Sequence, residues 1–283
     1  MKRTVIAILI ALLVVAIGGV LLFAGLSAVR FNVKDLDKTT FVTSHYDFDG
    51  PVREIDVEGR TVDVALLPAE NGRCRVVCTE TEREKYTVTL ADGTLTVRPA
   101  EEGRLSWTSF LSLFKSPKLT VYLPAGSYER LKVTLSTGDV AADRSLAFGQ
   151  LEVELSTGDL TLSGVRAETV TVRGRTGDVH LSDMTPKTAA ITLSTGDVTL
   201  TNVVCSGDLR CETSTGDIRL TDVDGANLYL KASTGDVTGT VLTDKTFVTD
   251  TSTGKVSVPA TAASGRCEVR TSTGDIRISV NGK

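Results

Sequence analysis

A four-residue motif, most often Ser-Thr-Gly-Asp, recurs eight times in the second half of the chain at a nearly constant spacing. Its third residue is always glycine, and the steps between successive glycines are 20, 19, 19, 20, 19, 19 and 20 residues. The eight glycines are Gly138, Gly158, Gly177, Gly196, Gly216, Gly235, Gly254 and Gly274. So regular a period indicates a repeat architecture, in which each unit buries its apolar face only by stacking on the next unit.

Apolar and polar residues alternate on both sides of each motif glycine. The positions seven and five residues before it, and two and four after it, are mostly apolar, as in Leu151, Val153, Leu160 and Leu162. A period of two is typical of strands with one buried face, so each repeat, or rung, of about 20 residues predicts two short strands. The chain is therefore predicted to be all-β.

Two arrangements of these strands fit the alternation. In a parallel β-solenoid (β-helix), each strand pairs with its copy one rung away, whereas in an antiparallel meander the two strands beside a turn pair with each other. Glycine at the third motif position indicates a type II turn, while two-residue hairpins prefer primed turns. We therefore expect the solenoid. Stacking in chain order would then align three sets of opposite charges, namely Glu154 with Arg173, Glu212 with Lys231, and Asp250 with both Lys231 and Arg270.

The N-terminal region predicts a membrane anchor. Residues Thr4 to Val29 contain no charged side chain, and about 20 apolar residues are enough to span a bilayer as a helix. A cleaved signal peptide is the alternative, but the apolar run is long and Leu26 fits its cleavage site poorly. Lys2 and Arg3 place the N-terminus in the cytoplasm and the remaining chain outside it.

Four regions follow from these patterns. We expect a transmembrane helix over residues 1–30, a stalk over 31–49, irregular solenoid rungs over 50–130, and regular Ser-Thr-Gly-Asp rungs over 131–283. Within the irregular region, residues 101–117 break the alternation and include Trp107, Phe110 and Phe114. This segment is interpreted either as a loop that covers an open sheet edge or as a patch that contacts a partner or the membrane.

The bulk composition narrows the class of function. The formal net charge is −4, whereas nucleic-acid-binding proteins usually carry a concentrated basic face. We therefore expect no nucleic-acid partner. Five cysteines at irregular spacing do not form a disulfide pattern. Two of them, Cys211 and Cys267, occupy apolar positions of the repeat, which predicts buried thiols.

An acidic residue follows seven of the eight motif glycines, and Lys255 replaces it in the other copy. The acidic residues are Asp139, Asp159, Asp178, Asp197, Asp217, Asp236 and Asp275. Stacked rungs would set them about 4.8 Å apart. A calcium-binding row is one hypothesis, because carboxylates suit that ion. We favour the other, that each aspartate caps its own turn, since the Gly-Gly-x-Gly-x-Asp pattern of calcium-binding repeats is absent.

A further stretch carries a family resemblance. Residues 119–126 read Leu-Thr-Val-Tyr-Leu-Pro-Ala-Gly, followed by Leu131-Lys132-Val133 and then by the repeated motif. From about residue 50 onward, this combination resembles the DUF4097 family of bacterial β-strand-repeat proteins. The resemblance implies a solenoid, often membrane-tethered, in the bacterial envelope. Its members are often described as adhesins and are sometimes linked to envelope stress, and the family pattern contains no catalytic residues.

The predicted function is therefore non-catalytic binding or scaffolding at the cell envelope, with no cofactor and no metal. Expected partners are the membrane, envelope proteins or cell-wall glycan. The alternatives are a carbohydrate-active β-helix enzyme, which would need clustered carboxylates, and a calcium-binding surface repeat. We also expect self-association through the C-terminal rung, because Ile276 to Val280 would be an open strand at the end of the stack.

Overall fold

The computed structural model describes residues 41–81, 85–100, 117–142, 144–261 and 263–281. Every regular element in these residues is a β-strand, which confirms the all-β prediction. No helix in these ranges is long and apolar enough to cross a membrane. The predicted anchor (1–30) lies outside the described residues, as does the aromatic segment (101–117) apart from Pro117.

The described residues form 23 strands. Those before the regular repeats are β1 (Phe41–Phe48), β2 (Glu54–Thr61), β3 (Asp63–Pro68), β4 (Cys74–Thr81), β5 (Tyr86–Ala91), β6 (Thr94–Pro99) and β7 (Lys118–Leu123). The repeats supply β8 (Ser127–Thr137), β9 (Val140–Ala142), β10 (Ala147–Thr157), β11 (Leu160–Ser163), β12 (Arg166–Thr176), β13 (Val179–Met184), β14 (Thr188–Thr195), β15 (Val198–Val203), β16 (Asp208–Thr215), β17 (Ile218–Val223), β18 (Asn227–Thr234), β19 (Val237–Val241), β20 (Thr246–Thr253), β21 (Val256–Ser257), β22 (Arg266–Thr273) and β23 (Ile276–Val280).

Each regular rung contributes one strand to each of two sheets. The 11-stranded sheet has the order β5-β6-β2-β8-β10-β12-β14-β16-β18-β22-β20, and the 12-stranded sheet has the order β1-β4-β7-β3-β9-β11-β13-β15-β17-β19-β23-β21. Neighbouring repeat strands are parallel, so that Leu151 is aligned with Leu131 on one side and with Val170 on the other. No described strand of the repeats pairs with the strand across its own motif glycine. The parallel solenoid-like arrangement is therefore correct, and the meander is wrong.

The alternating apolar residues form one continuous hydrophobic core along the stack. The four example positions Leu151, Val153, Leu160 and Leu162 are at most 1% exposed, and inward residues of both sheets belong to the same cluster. Burying such a side chain stabilises a fold by about 1.5–3 kcal/mol relative to leaving it exposed. The stacked core is therefore the main source of stability, as the period of two predicts.

The rungs do not stack in chain order at the C-terminal end. The rung of β22 and β23 lies between the rung of β18 and β19 and the rung of β20 and β21. The expectation that Ile276 to Val280 is an open strand is therefore wrong for Ile276 and Arg277, which pair with both β19 and β21, whereas Ile278 to Val280 pair with β19 alone. Self-association through that rung stays a prediction. The open strands at this end are β20 and β21, where Val256 is 45% exposed at a position that is buried in the other rungs.

The same rearrangement changes the predicted charge pairs. Glu154 is aligned with Arg173, and Glu212 with Lys231, as expected. Asp250, however, is aligned with Arg270 alone, and Arg270 lies between Asp250 and Lys231.

The N-terminal end is also out of chain order. The rung of β2 and β3 lies between β8 and β9 on one side and β6 and β7 on the other. Antiparallel strands complete this end, because β5 pairs with β6 while β4 pairs with β7 and β1. The stalk prediction is thus wrong for the residues of β1. Tyr46 and Phe48 of that strand pack against the core, which explains why the segment is ordered as a strand.

Candidate functional site

The eight motif glycines form a corner at which the chain passes from one sheet to the other. Their φ angles lie between +133° and +152°, well beyond the value near +80° of a type II turn, so that part of the prediction is wrong. A Cβ on Gly196 would lie 1.9 Å from the carbonyl oxygen of Gly177 in the preceding rung. Glycine is therefore required because the backbones of stacked rungs touch at the corner.

The motif aspartates connect neighbouring rungs. The Oδ1 atom of Asp178 accepts a hydrogen bond from the backbone N–H of Asp197 at 2.8 Å, and Oδ1 of Asp197 accepts one from Asp217 at 2.8 Å. The same contact recurs along the row, with lengths of 2.7–2.8 Å between motif aspartates. We call this row of contacts between rungs the ladder. The expectation that each aspartate caps its own turn is therefore wrong, since each one caps the corner of the next rung.

The glycine and the aspartate of a corner thus contact different neighbouring rungs. The glycine permits close approach to the preceding rung, and the aspartate binds the following rung. The first corner of the series, Val62-Asp63, has no glycine but has the aspartate, whose Oδ1 accepts the N–H of Asp139 at 3.1 Å. The last corner, Gly254-Lys255, has the glycine but no aspartate, and the N–H of Lys255 donates to Asp275 Oδ1 at 2.8 Å. The first corner therefore keeps the aspartate that contacts the following rung, and the last corner keeps the glycine that approaches the preceding rung.

Arginine side chains donate hydrogen bonds to the second oxygen, Oδ2, of several motif aspartates. Arg219 donates to Oδ2 of both Asp197 and Asp217, and Arg277 donates in the same way to Asp236 and Asp275. Burial opposes ionisation of Asp197, but the hydrogen bonds from Arg219 and from the Asp217 N–H outweigh it, so the pKa of Asp197 lies below its usual value.

The backbone N–H of Lys255 lowers the pKa of Asp275, and Arg277 contributes in the same direction. These contacts argue against a calcium row, because backbone amides already occupy Oδ1. Within the described ranges, no three His, Cys, Asp or Glu side chains are placed to hold a metal ion.

The outward face of the 11-stranded sheet carries charges that are paired with one another. Arg173 lies 3.2 Å from Glu152 and 3.5 Å from Glu154, which are both on the preceding rung. The Arg210 guanidinium lies 4.7 Å from the ring centroid of Tyr229. Such exposed pairs contribute little to stability, but they fix the register of neighbouring strands.

The outward face of the 12-stranded sheet is instead rich in hydroxyl groups. Over four consecutive rungs it presents six Ser and Thr side chains that are exposed or half-buried: Thr161, Ser163, Ser182, Thr199, Thr201 and Thr221. His180 and Arg219 stand in the same rows, since they are aligned with Thr161 and Thr199 respectively. We call these six residues the hydroxyl face. Sequence reasoning missed it because it treated these positions only as the polar half of the alternation.

All five cysteines are buried and unpaired, as expected for Cys211 and Cys267. Burial raises the pKa of Cys74 to about 11 and that of Cys78 to about 12. These thiols are therefore neutral packing groups at neutral pH and not nucleophiles. The aromatic residues Trp107, Phe110 and Phe114 lie outside the described residues.

Comparison with known proteins places the chain in a family. The Toastrack DUF4097 family model matches residues 52–212 and 206–283. The chain belongs to the DUF4097 family. No curated protein sequence matches it significantly.

Comparison with solved structures finds similar proteins of low sequence identity. A protein from Bacteroides fragilis described as a proposed adhesin is 15% identical, with a TM-score of 0.54, and the match covers 84% of this chain and 97% of that one. A second proposed adhesin, from Parabacteroides distasonis, is 12% identical with a TM-score of 0.49, over 85% and 98% of the two chains. A proposed lipid-binding protein from the same species is 11% identical with a TM-score of 0.42, over 83% and 96%. At 15% identity, the likeness to the Bacteroides fragilis protein shows the fold alone.

Proposed function

We propose that this protein is a non-catalytic, membrane-anchored binding module of the bacterial cell envelope. The hydroxyl face carries the proposal, because it is a broad, nearly neutral surface on a rigid parallel sheet. The description of a protein with the same fold as a proposed adhesin supports the same class of function. The ladder aspartates, by contrast, are engaged in backbone hydrogen bonds, which leaves them a structural role.

The ligand that best fits the hydroxyl face is an envelope glycan. Serine and threonine hydroxyl groups both donate and accept hydrogen bonds, and sugar hydroxyl groups do the same. The parallel strands repeat these groups about every 4.8 Å, so that an extended polymer could contact several rungs at once. Many weak contacts in a row produce useful avidity without a deep pocket. Anchoring by residues 4–29 would hold this surface outside the cytoplasm.

Two threonines of one rung provide a matched test of the binding face. Thr201 lies on the hydroxyl face and Thr192 on the opposite, charged face, and both are exposed. We expect Thr201→Glu to weaken binding of the chain to purified cell-wall glycan by at least tenfold, while Thr192→Glu leaves it unchanged. Equal loss in both variants, or glycan binding that neither variant affects, would contradict recognition by the hydroxyl face.

Membrane anchoring is tested separately. The full chain, tagged at its C-terminus, should sediment with membranes, and its tag should be digested when protease is added to intact spheroplasts. A chain that lacks residues 4–29 should be recovered in the soluble fraction. A protected tag on the full chain would refute the extracytoplasmic location.

A further inference from the structure

One ion pair differs from all the others between described residues. The Lys245 Nζ lies 2.6 Å from Asp224 Oδ1, and the two side chains are only 6% and 10% exposed. Each other ion pair between described side chains uses arginine, and that arginine is at least 33% exposed. Lysine differs from arginine in chemistry as well as shape, because its amine is a nucleophile once it has lost a proton.

The surroundings hold these two side chains in contact. The backbone N–H of Gly225 donates to Asp224 Oδ1 at 2.8 Å, and Lys245 Nζ donates to Thr243 Oγ1 at 2.7 Å. Gly265 leaves space for the lysine, since a Cβ there would lie 3.2 Å from Lys245 Cδ. Burying two charges is costly, and removing both charges by forming a neutral group would relieve that cost.

We propose that Asp224 and Lys245 join in an intramolecular amide bond. One proton passes from the ammonium to the carboxylate, which gives a neutral amine and a carboxylic acid. The Nζ lone pair then attacks Cγ, so that a C–N bond forms and a C–O bond breaks. The departing oxygen leaves as water with the carboxyl proton and one amine proton. The reaction is a condensation that needs no oxidant, reductant or cofactor.

The bond would fasten the open end of the stack. Asp224 lies between β17 and β18, and Lys245 directly precedes β20 of the terminal rung. The rung of β22 and β23 lies between the terminal rung and that of β18 and β19. An amide bond would therefore tie the terminal rung to a rung further inside the stack. A protein that is pulled at the cell surface would benefit, because the last rung has neighbours on one side only.

Intact mass and peptide mapping of the full-length chain test the proposal. Under denaturing conditions, the wild-type mass should be one water lower than the sequence requires. Trypsin should then yield a branched product, in which residues 220–231 are joined through Asp224 to residues 232–255, uncut at Lys245. In the variant Lys245→Arg the mass should equal the sequence mass, whereas Lys255→Arg, a change at an exposed lysine of the same rung, should keep the branched product.

Two results would overturn the proposal. The first is a wild-type mass equal to the sequence mass, together with cleavage after Lys245. The second is the loss of one water with Lys245 still cleaved and residues 220–231 found as a linear dehydrated peptide, since Asp224-Gly225 could form a cyclic imide instead. Both readings come from the wild-type protein, so they hold even if Lys245→Arg fails to fold.

Discussion

Replacing Gly196 with alanine tests whether the corners depend on direct backbone contact between rungs. At its φ of +139°, an L side chain is strained by about 1–3 kcal/mol. The new Cβ would also lie 1.9 Å from the Gly177 carbonyl oxygen, so the two rungs must separate at this corner. Separation would break the bond from the Asp197 N–H to Asp178 and the bond from the Gly177 N–H to the Thr195 carbonyl.

The expected size of this effect follows from its parts. Two broken hydrogen bonds cost about 2 kcal/mol, because each contributes about 1 kcal/mol net. Alanine also reduces the entropy of the unfolded chain, which offsets about 0.4–1 kcal/mol. Together with the strain, Gly196→Ala should lower the free energy of unfolding by about 2–5 kcal/mol, a large share of the 5–15 kcal/mol of a typical domain.

Urea unfolding followed by far-ultraviolet circular dichroism measures this loss. Gly126→Ala is the matched control, because no atom lies within 4 Å of a Cβ at that position. Free of strain and of clash, it should raise the free energy of unfolding by about 0.4–1 kcal/mol through the same reduction of unfolded-chain entropy. If Gly196→Ala were as stable as Gly126→Ala, close contact between rungs could not be the reason for glycine at the corner.

Three further outcomes follow from the ladder and the core. Asp197→Ala should cost about 1–3 kcal/mol in the same assay, because it leaves the Asp217 N–H unpaired, whereas Lys255→Ala should be neutral; equal effects would contradict the direction of the ladder. Because the pKa of Asp197 is lowered in the folded state, its contribution to stability should be fully present above the unfolded carboxyl pKa near 3.9 and should be lost as the pH falls below that value. Acid unfolding measures this, and a loss of stability that begins above pH 6 would disagree. In hydrogen exchange, amides of Arg266–Thr273 should be protected longer than those of Thr246–Thr253, and the reverse would contradict the stacking order.

The sequence predicts the architecture well where one physical rule dominates. Burial of alternate side chains is such a rule, and it yields the two strands per rung and the parallel stack. It does not predict the corner geometry, because φ near +80° and φ near +140° both call for glycine. The hydroxyl face and the Asp224–Lys245 contact also escaped prediction, since both depend on which rungs are neighbours in space.

The stacking order itself was nevertheless encoded in two departures from the repeat. Val62-Asp63 keeps only the residue that faces the following rung, and Gly254-Lys255 keeps only the residue that faces the preceding one. Once the contacts of the ladder are known, these two departures identify the first and last corners. Since Gly254-Lys255 is the last corner, the C-terminal rung must lie inside the stack. A carboxylate at Lys255 would have no acceptor role, because in the described structure no further corner follows whose N–H would need one.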